Sequence, residues 1–273
     1  MSGDEVFVAG ACAVVVAAST GLTSTAWMPP LALRRTAGLG LVRLAMILAM
    51  AWLLLVLMRY ADPSVQGIYV AFYLLMGFAA VRGFGVLAAR FFGVRLRVDV
   101  VERANPAAAR LAAAMVLGTG MIFGGCLWGE ADPTGDDEGG WWIPVGFFFA
   151  GWLAWLGAMA LFFWREPGPT RLRIRRDRRL PEARAAAIYA LVAAWVLTEA
   201  VAGDFYGWRH GLVAVGGVAV LLGVRELFTL GQNRLLTSGA DGGRGWEGIA
   251  YIGSGVAFYF LNRMLEGRLA ELA

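Results

Sequence analysis

Long apolar runs alternate with short polar stretches along the whole chain. Val100–Glu130 shows the pattern most clearly, because a charged turn leads into an Ala-rich segment and then into an unbroken apolar run. A helix needs about 20 apolar residues to cross a hydrocarbon layer of about 30 Å. Similar stretches recur at Leu180–Val201 and, more faintly, at Gly245–Leu261. The pattern predicts an all-α, polytopic membrane protein.

We predict eight transmembrane helices joined by short loops. They are Val6–Trp27, Leu39–Met58, Gly67–Phe92, Pro106–Trp128, Trp142–Trp164, Arg184–Val201, Gly211–Leu230 and Trp246–Leu261. Two spans return the chain to its starting side, so the eight form four hairpins of the same orientation. Arg263 and Arg268 in the C-terminal tail favour a seven-span alternative with the C-terminus inside.

The loop charges alternate with the predicted spans. Loops after odd-numbered spans carry arginines, namely Arg34, Arg35, Arg95, Arg97, Arg103, Arg171 to Arg179, Arg234 and Arg244. Loops after even-numbered spans carry the acids Asp62, Glu130, Asp132, Asp136, Asp137, Glu138 and Asp204. Arginine in short loops marks the cytoplasmic side. We therefore expect a multi-pass protein of a bacterial inner (cytoplasmic) membrane, with both termini on the periplasmic side.

A longer period indicates duplication of a four-helix unit. Trp52 and Trp195 are 143 residues apart, as are Arg82 and Arg225, and several loop arginines recur at a spacing of 141. We interpret residues 1–138 and 139–273 as two membrane halves in parallel orientation, related by an axis along the membrane normal. Chance agreement of arginines in an arginine-rich chain is the alternative.

Composition narrows the chemistry. Charged residues make up only 16% of the chain, against about 25% in soluble domains. All 24 basic residues are arginine, so no Schiff base can form through lysine. The single histidine, His210, excludes a multi-histidine metal site. The two cysteines, Cys12 and Cys126, fall within apolar spans. We expect no cofactor and no metal. The net charge of +4 does not indicate nucleic-acid binding, because the arginines sort by membrane side.

Four charges fall inside predicted spans, where each needs a partner or a purpose. They are Arg82, Glu199, Arg225 and Glu226. Both arginines lie about 22 Å from the outer face at 1.5 Å per residue. One interpretation is a charged constriction or anion site on the pseudo-symmetry axis, with the glutamates as counter-ions or proton carriers. The other is that the arginines snorkel to the cytoplasmic headgroups.

Two further sets of residues have simpler interpretations. Gly120 and Gly124 belong to a small-residue helix face of the kind that lets helices approach closely in lipid. A basic loop holds Arg171, Arg173, Arg175, Arg176, Arg178 and Arg179. The requirements of membrane insertion account for such a loop, and its charge density also suits anionic lipid or an acidic partner protein.

The segment Glu102-Arg103-Ala104-Asn105-Pro106-Ala107-Ala108-Ala109 resembles a recurring segment, E-R-x-N-x-A-A-A, of a bacterial membrane family. That family includes the YjfL-type proteins and is known as domain of unknown function 350. Pro181-Glu182-Ala183-Arg184-Ala185-Ala186-Ala187 is similar to it, with Arg184 at the Asn position. The resemblance implies paired two-helix transmembrane repeats and a membrane location, and it supplies no catalytic residues.

Two functions remain open. The sequence lacks a Ser-His-Asp set, Cys-x-x-Cys and His-Glu-x-x-His, which favours a non-enzymatic protein. The leading hypothesis is a membrane-embedded subunit that docks a protein partner through its arginine-rich loops and associates with itself. The alternative is an ion or small-solute channel or transporter with a path along the pseudo-symmetry axis.

Overall fold

The computed structural model describes residues 2–23, 37–63, 65–129, 140–164, 170–202, 207–235 and 243–270. Side chains within 21–23, 207–212, 229–235, 243–245 and 265–270, and that of residue 170, lie outside this description. Several predicted loop charges therefore lie outside the described residues, as does the side chain of the single histidine. These are Arg34, Arg35, Glu130, Asp132, Asp136, Asp137, Glu138, Asp204, His210, Arg234, Arg244 and Arg268.

The described chain is helical, as predicted, and contains no strand. The helices are α1 Gly3–Thr23, α2 Ala37–Arg59, α3 Ile68–Ala79, α4 Gly85–Phe91, α5 Pro106–Gly125, α6 Trp142–Trp164, α7 Thr170–Arg175, α8 Leu180–Val201, α9 Gly207–Leu235 and α10 Gly243–Ala270. A π-helical turn, Ala80–Phe84, joins α3 to α4, and a second π-helical segment, Leu96–Glu102, precedes α5.

Six helical segments of the described chain are long and apolar enough to cross a membrane. They are Gly3–Thr20, Ala37–Arg59, Ile68–Phe91, Pro106–Gly125, Trp142–Trp164 and Leu180–Val201. They indicate a membrane protein, which confirms the broad class predicted from the sequence. The seventh and eighth predicted spans fall within α9 and α10, which are helices of 29 and 28 residues.

Four helices lie side by side in one row, in the order α2, α5, α8, α10. Along each neighbouring pair, the residue numbers of the contacting residues increase in the same direction on both helices, which means that the helices run parallel. The pairs are Gly38 with Ala109, Ala49 with Gly120, and Trp52 with Gly124 between α2 and α5; Gly118 with Ala194 and Gly125 with Thr198 between α5 and α8; and Ile188 with Gly248 and Val192 with Gly255 between α8 and α10.

The remaining long helices flank this row and run against it. Gly77 of α3 lies against Phe123, whereas Gly85 of α4 lies against Val116, so the segment from α3 to α4 runs antiparallel to α5. An aromatic cluster joins it to α6, since the Phe84 ring meets the rings of Phe148, Phe149 and Trp152 at 5.3–5.6 Å. Edge-to-face contacts of this kind stabilise the packing in addition to the stabilisation that comes from the buried area.

The centre of the protein is α5, whose composition suits that place. Half of its 20 residues are alanine or glycine, and 16 of the 20 are buried. Small side chains let neighbouring backbones approach, which is how helices associate where lipid removes the hydrophobic drive. Trp155 of α6 fills the space above Gly118 and donates its indole N–H to the Ala190 carbonyl at 2.8 Å. The large ring and the glycine thus complete one interface.

Candidate functional site

A buried carboxylate organises the loop that precedes α5. Asp99 lies in the π-helical segment and is 0% exposed. Its Oδ1 accepts hydrogen bonds from Arg103 Nη1 at 3.2 Å and from Arg175 Nε at 3.4 Å, and its Oδ2 accepts from the Arg95 backbone N–H at 2.8 Å. Because a buried carboxylate is costly unless it is paired and hydrogen-bonded, Asp99 fixes both arginines.

Asn105 links the same loop to the basic loop. Its Oδ1 accepts from the backbone N–H groups of Ala107 and Ala108, so it caps the N-terminus of α5. Its Nδ2 donates to the carbonyl oxygens of Ile174 at 2.9 Å and Arg175 at 3.0 Å. The side chain is 0% exposed, which means that water cannot replace these bonds. We call residues 94–105 and 170–179, joined in this way, the loop clasp.

The loop clasp fixes the conformation of the basic loop. Arg178 adds a hydrogen bond from its Nη2 to the Arg103 carbonyl at 2.9 Å. Each of the two loops of the clasp contains a non-glycine residue in the left-handed region, Ala104 at φ 49° and Arg178 at φ 55°. Such residues cost about 1–3 kcal/mol and persist only when their surroundings hold them. The two loops therefore hold each other in one arrangement.

The basic-loop arginines named from the sequence divide by role. Arg175 pairs with Asp99, and Arg178 bonds Arg103. Arg171 is exposed and lies over two aromatic rings, while Arg173 is partly exposed. Arg176 and Arg179 are exposed. Part of the loop's charge thus builds the clasp, and the remainder faces outward.

A second charged cluster lies between α9 and α10. Arg225 is 2% exposed and donates from Nη1 to Glu247 Oε1 at 3.2 Å. The Tyr251 hydroxyl donates to the same oxygen at 2.6 Å. The guanidinium carbon of Arg225 lies 3.8 Å from the centroid of the Phe162 ring, which in turn meets Tyr189 at 4.6 Å. Arg225 is therefore enclosed by an acid and aromatic rings.

The other three intramembrane candidates have the following surroundings. Arg82 is part of the π-helical turn between α3 and α4, and its Nη1 lies 3.8 Å from the Met46 sulfur of α2. Glu199 lies in a surface groove between α8, α9 and α10, lined also by Val196, Ala200, Val213, Ala214, Phe258 and Asn262. Glu226 follows Arg225 on α9 and is partly exposed.

Glycines that the sequence assigned to helix packing lie at close contacts. A Cβ atom added to Gly120 would be 2.5 Å from Ala49 Cβ, and one added to Gly124 would clash with the Trp52 indole. Trp52 uses that space to donate its Nε1–H to the Met121 carbonyl at 3.3 Å. Both glycines thus set the distance between α2 and α5.

Sequence reasoning missed the two carboxylates that matter most, Asp99 and Glu247. Asp99 lies in a polar loop, where the sequence alone indicates only another charge at the membrane surface. Glu247 sits one residue inside the predicted eighth span, where a helix-end carboxylate is ordinarily wetted. Each lies four residues before a second polar group, Arg103 for Asp99 and Tyr251 for Glu247, on the same helical face. That spacing was the available signal.

No protein-family model, no curated protein and no solved structure matches this chain. The resemblance of 102–109 to the YjfL-type family therefore stays a prediction. Within that segment, Arg103 and Asn105 are the residues that build the loop clasp.

Proposed function

We propose that this chain is a non-enzymatic, membrane-embedded subunit that docks a partner protein through its arginine-rich cytoplasmic loop. The observation that carries the proposal is the loop clasp. Asp99 and Asn105 hold the basic loop in a defined fold while Arg176 and Arg179 stay exposed. A loop shaped only by the requirements of membrane insertion would not need buried bonds to fix it.

A fixed loop suits binding for an energetic reason. Ordering a flexible, side-chain-rich segment costs about 0.5–1.5 kcal/mol per immobilised side chain, and a preorganised surface avoids much of that cost. The outward charge is positive, so the complementary partner surface is acidic. Self-association is the second form of partnership that we propose.

We further propose that the helices form four hairpins of one orientation in two parallel halves. The parallel row of α2, α5, α8 and α10 supports this arrangement. So does a repeated contact. Ala49 lies against Gly120 in the first half, and Val192, 143 residues after Ala49, lies against Gly255, 135 residues after Gly120, in the second. Arginine-bearing ends of these helices would then lie in the cytoplasm of a bacterial cell, with eight spans in the inner membrane.

The channel or transporter is the second candidate, and the buried Arg225–Glu247 pair favours it. Ionisable groups within a membrane often mark a transport path. The two proposed halves, however, meet at the contact of α5 with α8, where Gly118 and Gly125 bring the helices close together. A path between the halves would have to separate these helices. Solute flux into proteoliposomes that is lost on Arg225→Ala or Arg82→Ala would favour this candidate.

Affinity purification from native membranes tests docking directly. We expect a stoichiometric partner with the unaltered chain and its loss with the double variant Arg176→Gln/Arg179→Gln. The matched control is Arg59→Gln, which removes an exposed arginine at the opposite end of α2. Light scattering of the purified protein measures self-association. Recovery of a monomeric chain alone, or an unchanged partner with the double variant, would contradict the proposal.

A further inference from the structure

The ends of α4 and α6 meet in an arrangement that holds one arginine of the basic loop. The Phe92 and Phe163 rings stack with centroids 5.3 Å apart. The guanidinium carbon of Arg171 lies 5.7 Å and 5.4 Å from these two centroids. Both distances are within the range of cation–π attraction. Among the described residues, aromatic rings rather than a carboxylate therefore position this cation.

Apolar side chains lie exposed on the two helices that lead to this arginine. On α4, Leu87 is 40% and Phe91 57% exposed, and on α6, Leu161 is 40% and Trp164 82% exposed. All four belong to segments apolar enough to cross a membrane. Leu87 and Phe91 are four residues apart and Leu161 and Trp164 three apart, so each pair shares one helical face.

The charge at this level is positive. Arg90, in the last turn of α4, is exposed one residue before Phe91, and Arg171 is exposed as well. Tryptophan is enriched at the height of lipid headgroups, and Trp164 is the last residue of α6. In a bilayer whose headgroups lie level with Trp164, the two cations and the exposed apolar side chains would match the polarity of an anionic phospholipid.

We propose that α4, α6 and Arg171 form a binding site for an anionic glycerophospholipid. Its phosphate binds Arg171, with Arg90 as the second cation, and an acyl chain lies along Phe91 and Trp164. The rings of Phe92 and Phe163 hold the Arg171 guanidinium, so less side-chain freedom is lost on binding. The site does not use Arg176 or Arg179, so it is independent of the proposed protein docking.

Quenching of tryptophan fluorescence by brominated lipid tests the site. The protein is placed in phosphatidylcholine vesicles that contain a minor, equal mole fraction of brominated phosphatidylglycerol or brominated phosphatidylcholine. The difference between the unaltered chain and Trp164→Phe isolates quenching at Trp164. We expect stronger quenching by brominated phosphatidylglycerol. Arg171→Gln should weaken this preference about fivefold, the equivalent of about 1 kcal/mol per arginine near an anionic surface.

The matched control is Arg43→Gln, which removes an exposed arginine from α2. The α2 helix belongs to the row, whereas α4 and α6 flank the row. It should leave quenching at Trp164 unchanged. Equal quenching by the two brominated lipids would overturn the proposal. So would an equal loss with Arg43→Gln, because it would mean that diffuse surface charge, rather than this site, enriches the lipid. Retained partner recovery in Arg171→Gln would separate the site from docking.

Discussion

Removal of the Asn105 side chain gives the sharpest test of the loop clasp. Asn105→Ala removes the cap of α5, worth about 1 kcal/mol, and the two bonds to the carbonyls of Ile174 and Arg175, each worth about 1 kcal/mol. Asn105→Ser keeps an oxygen acceptor for the cap but lacks the amide group that donates to the two carbonyls. Opening of the basic loop should therefore become easier by about 2 kcal/mol in both variants, whereas global unfolding should differ between them by the cap.

Trypsin measures the opening, because the basic loop holds its cleavage sites. Cleavage of a transiently open segment tracks the population of the open form when reclosing is fast. A loss of about 2 kcal/mol corresponds to cleavage about 30-fold faster at 171–179, since 1.4 kcal/mol is tenfold. Unfolding by SDS should in addition show Asn105→Ala to be less stable than Asn105→Ser by about 1 kcal/mol.

Cleavage after Arg59 is the internal control. Arg59 ends α2 and is exposed, at the end of the row opposite to the clasp, so its rate should be the same in all three proteins. An unchanged rate at 171–179 in Asn105→Ala would refute the reasoning, because the amide bonds would then contribute nothing to holding the loop. A parallel increase at Arg59 would indicate general unfolding instead.

Three further predictions test packing, charge burial and strain. Gly120→Val should destabilise the folded protein in SDS titrations by about 1–3 kcal/mol through overpacking, whereas Gly157→Val, at a position with open space around the added atoms, should have little effect. Arg225→Met should cost about 3–5 kcal/mol by leaving Glu247 buried without its cation, and the double variant Arg225→Met/Glu247→Leu should recover most of that loss. Ala104→Gly should leave stability unchanged or raise it by up to about 1 kcal/mol, since glycine adopts a positive φ without strain, and thermal unfolding in detergent measures the change.

The helices were predictable because their signal is local. An apolar run of the right length forms a helix in lipid whatever its neighbours are, since backbone groups must be satisfied within the segment. The predicted start of α5 at Pro106 and both bounds of α6, Trp142 and Trp164, agree with the structure. The Asn-Pro pair before α5 is itself a helix-start signal. Small-residue positions such as Gly120 and Gly124 follow from composition in the same way.

The partners of the charges were not predictable, because they depend on which loops and helices meet. The sequence suggested Glu199 and Glu226 as counter-ions of the intramembrane arginines, whereas the contact of Arg225 with Glu247, 22 residues later on α10, was not anticipated. Asp99 binds Arg175 across 76 residues of sequence. Neither pairing follows from a regular spacing along the sequence.

The sequence by itself therefore determined the class of the protein, its helices and the uneven distribution of its arginines, because hydropathy and charge act residue by residue. Only the tertiary structure decided which arginines are buried in ion pairs, which are fixed by the loop clasp and which remain exposed. An ion pair forms where packing brings two groups within about 4 Å and removes water from around them. That condition is set by the neighbouring helices as well as by the charged residues themselves.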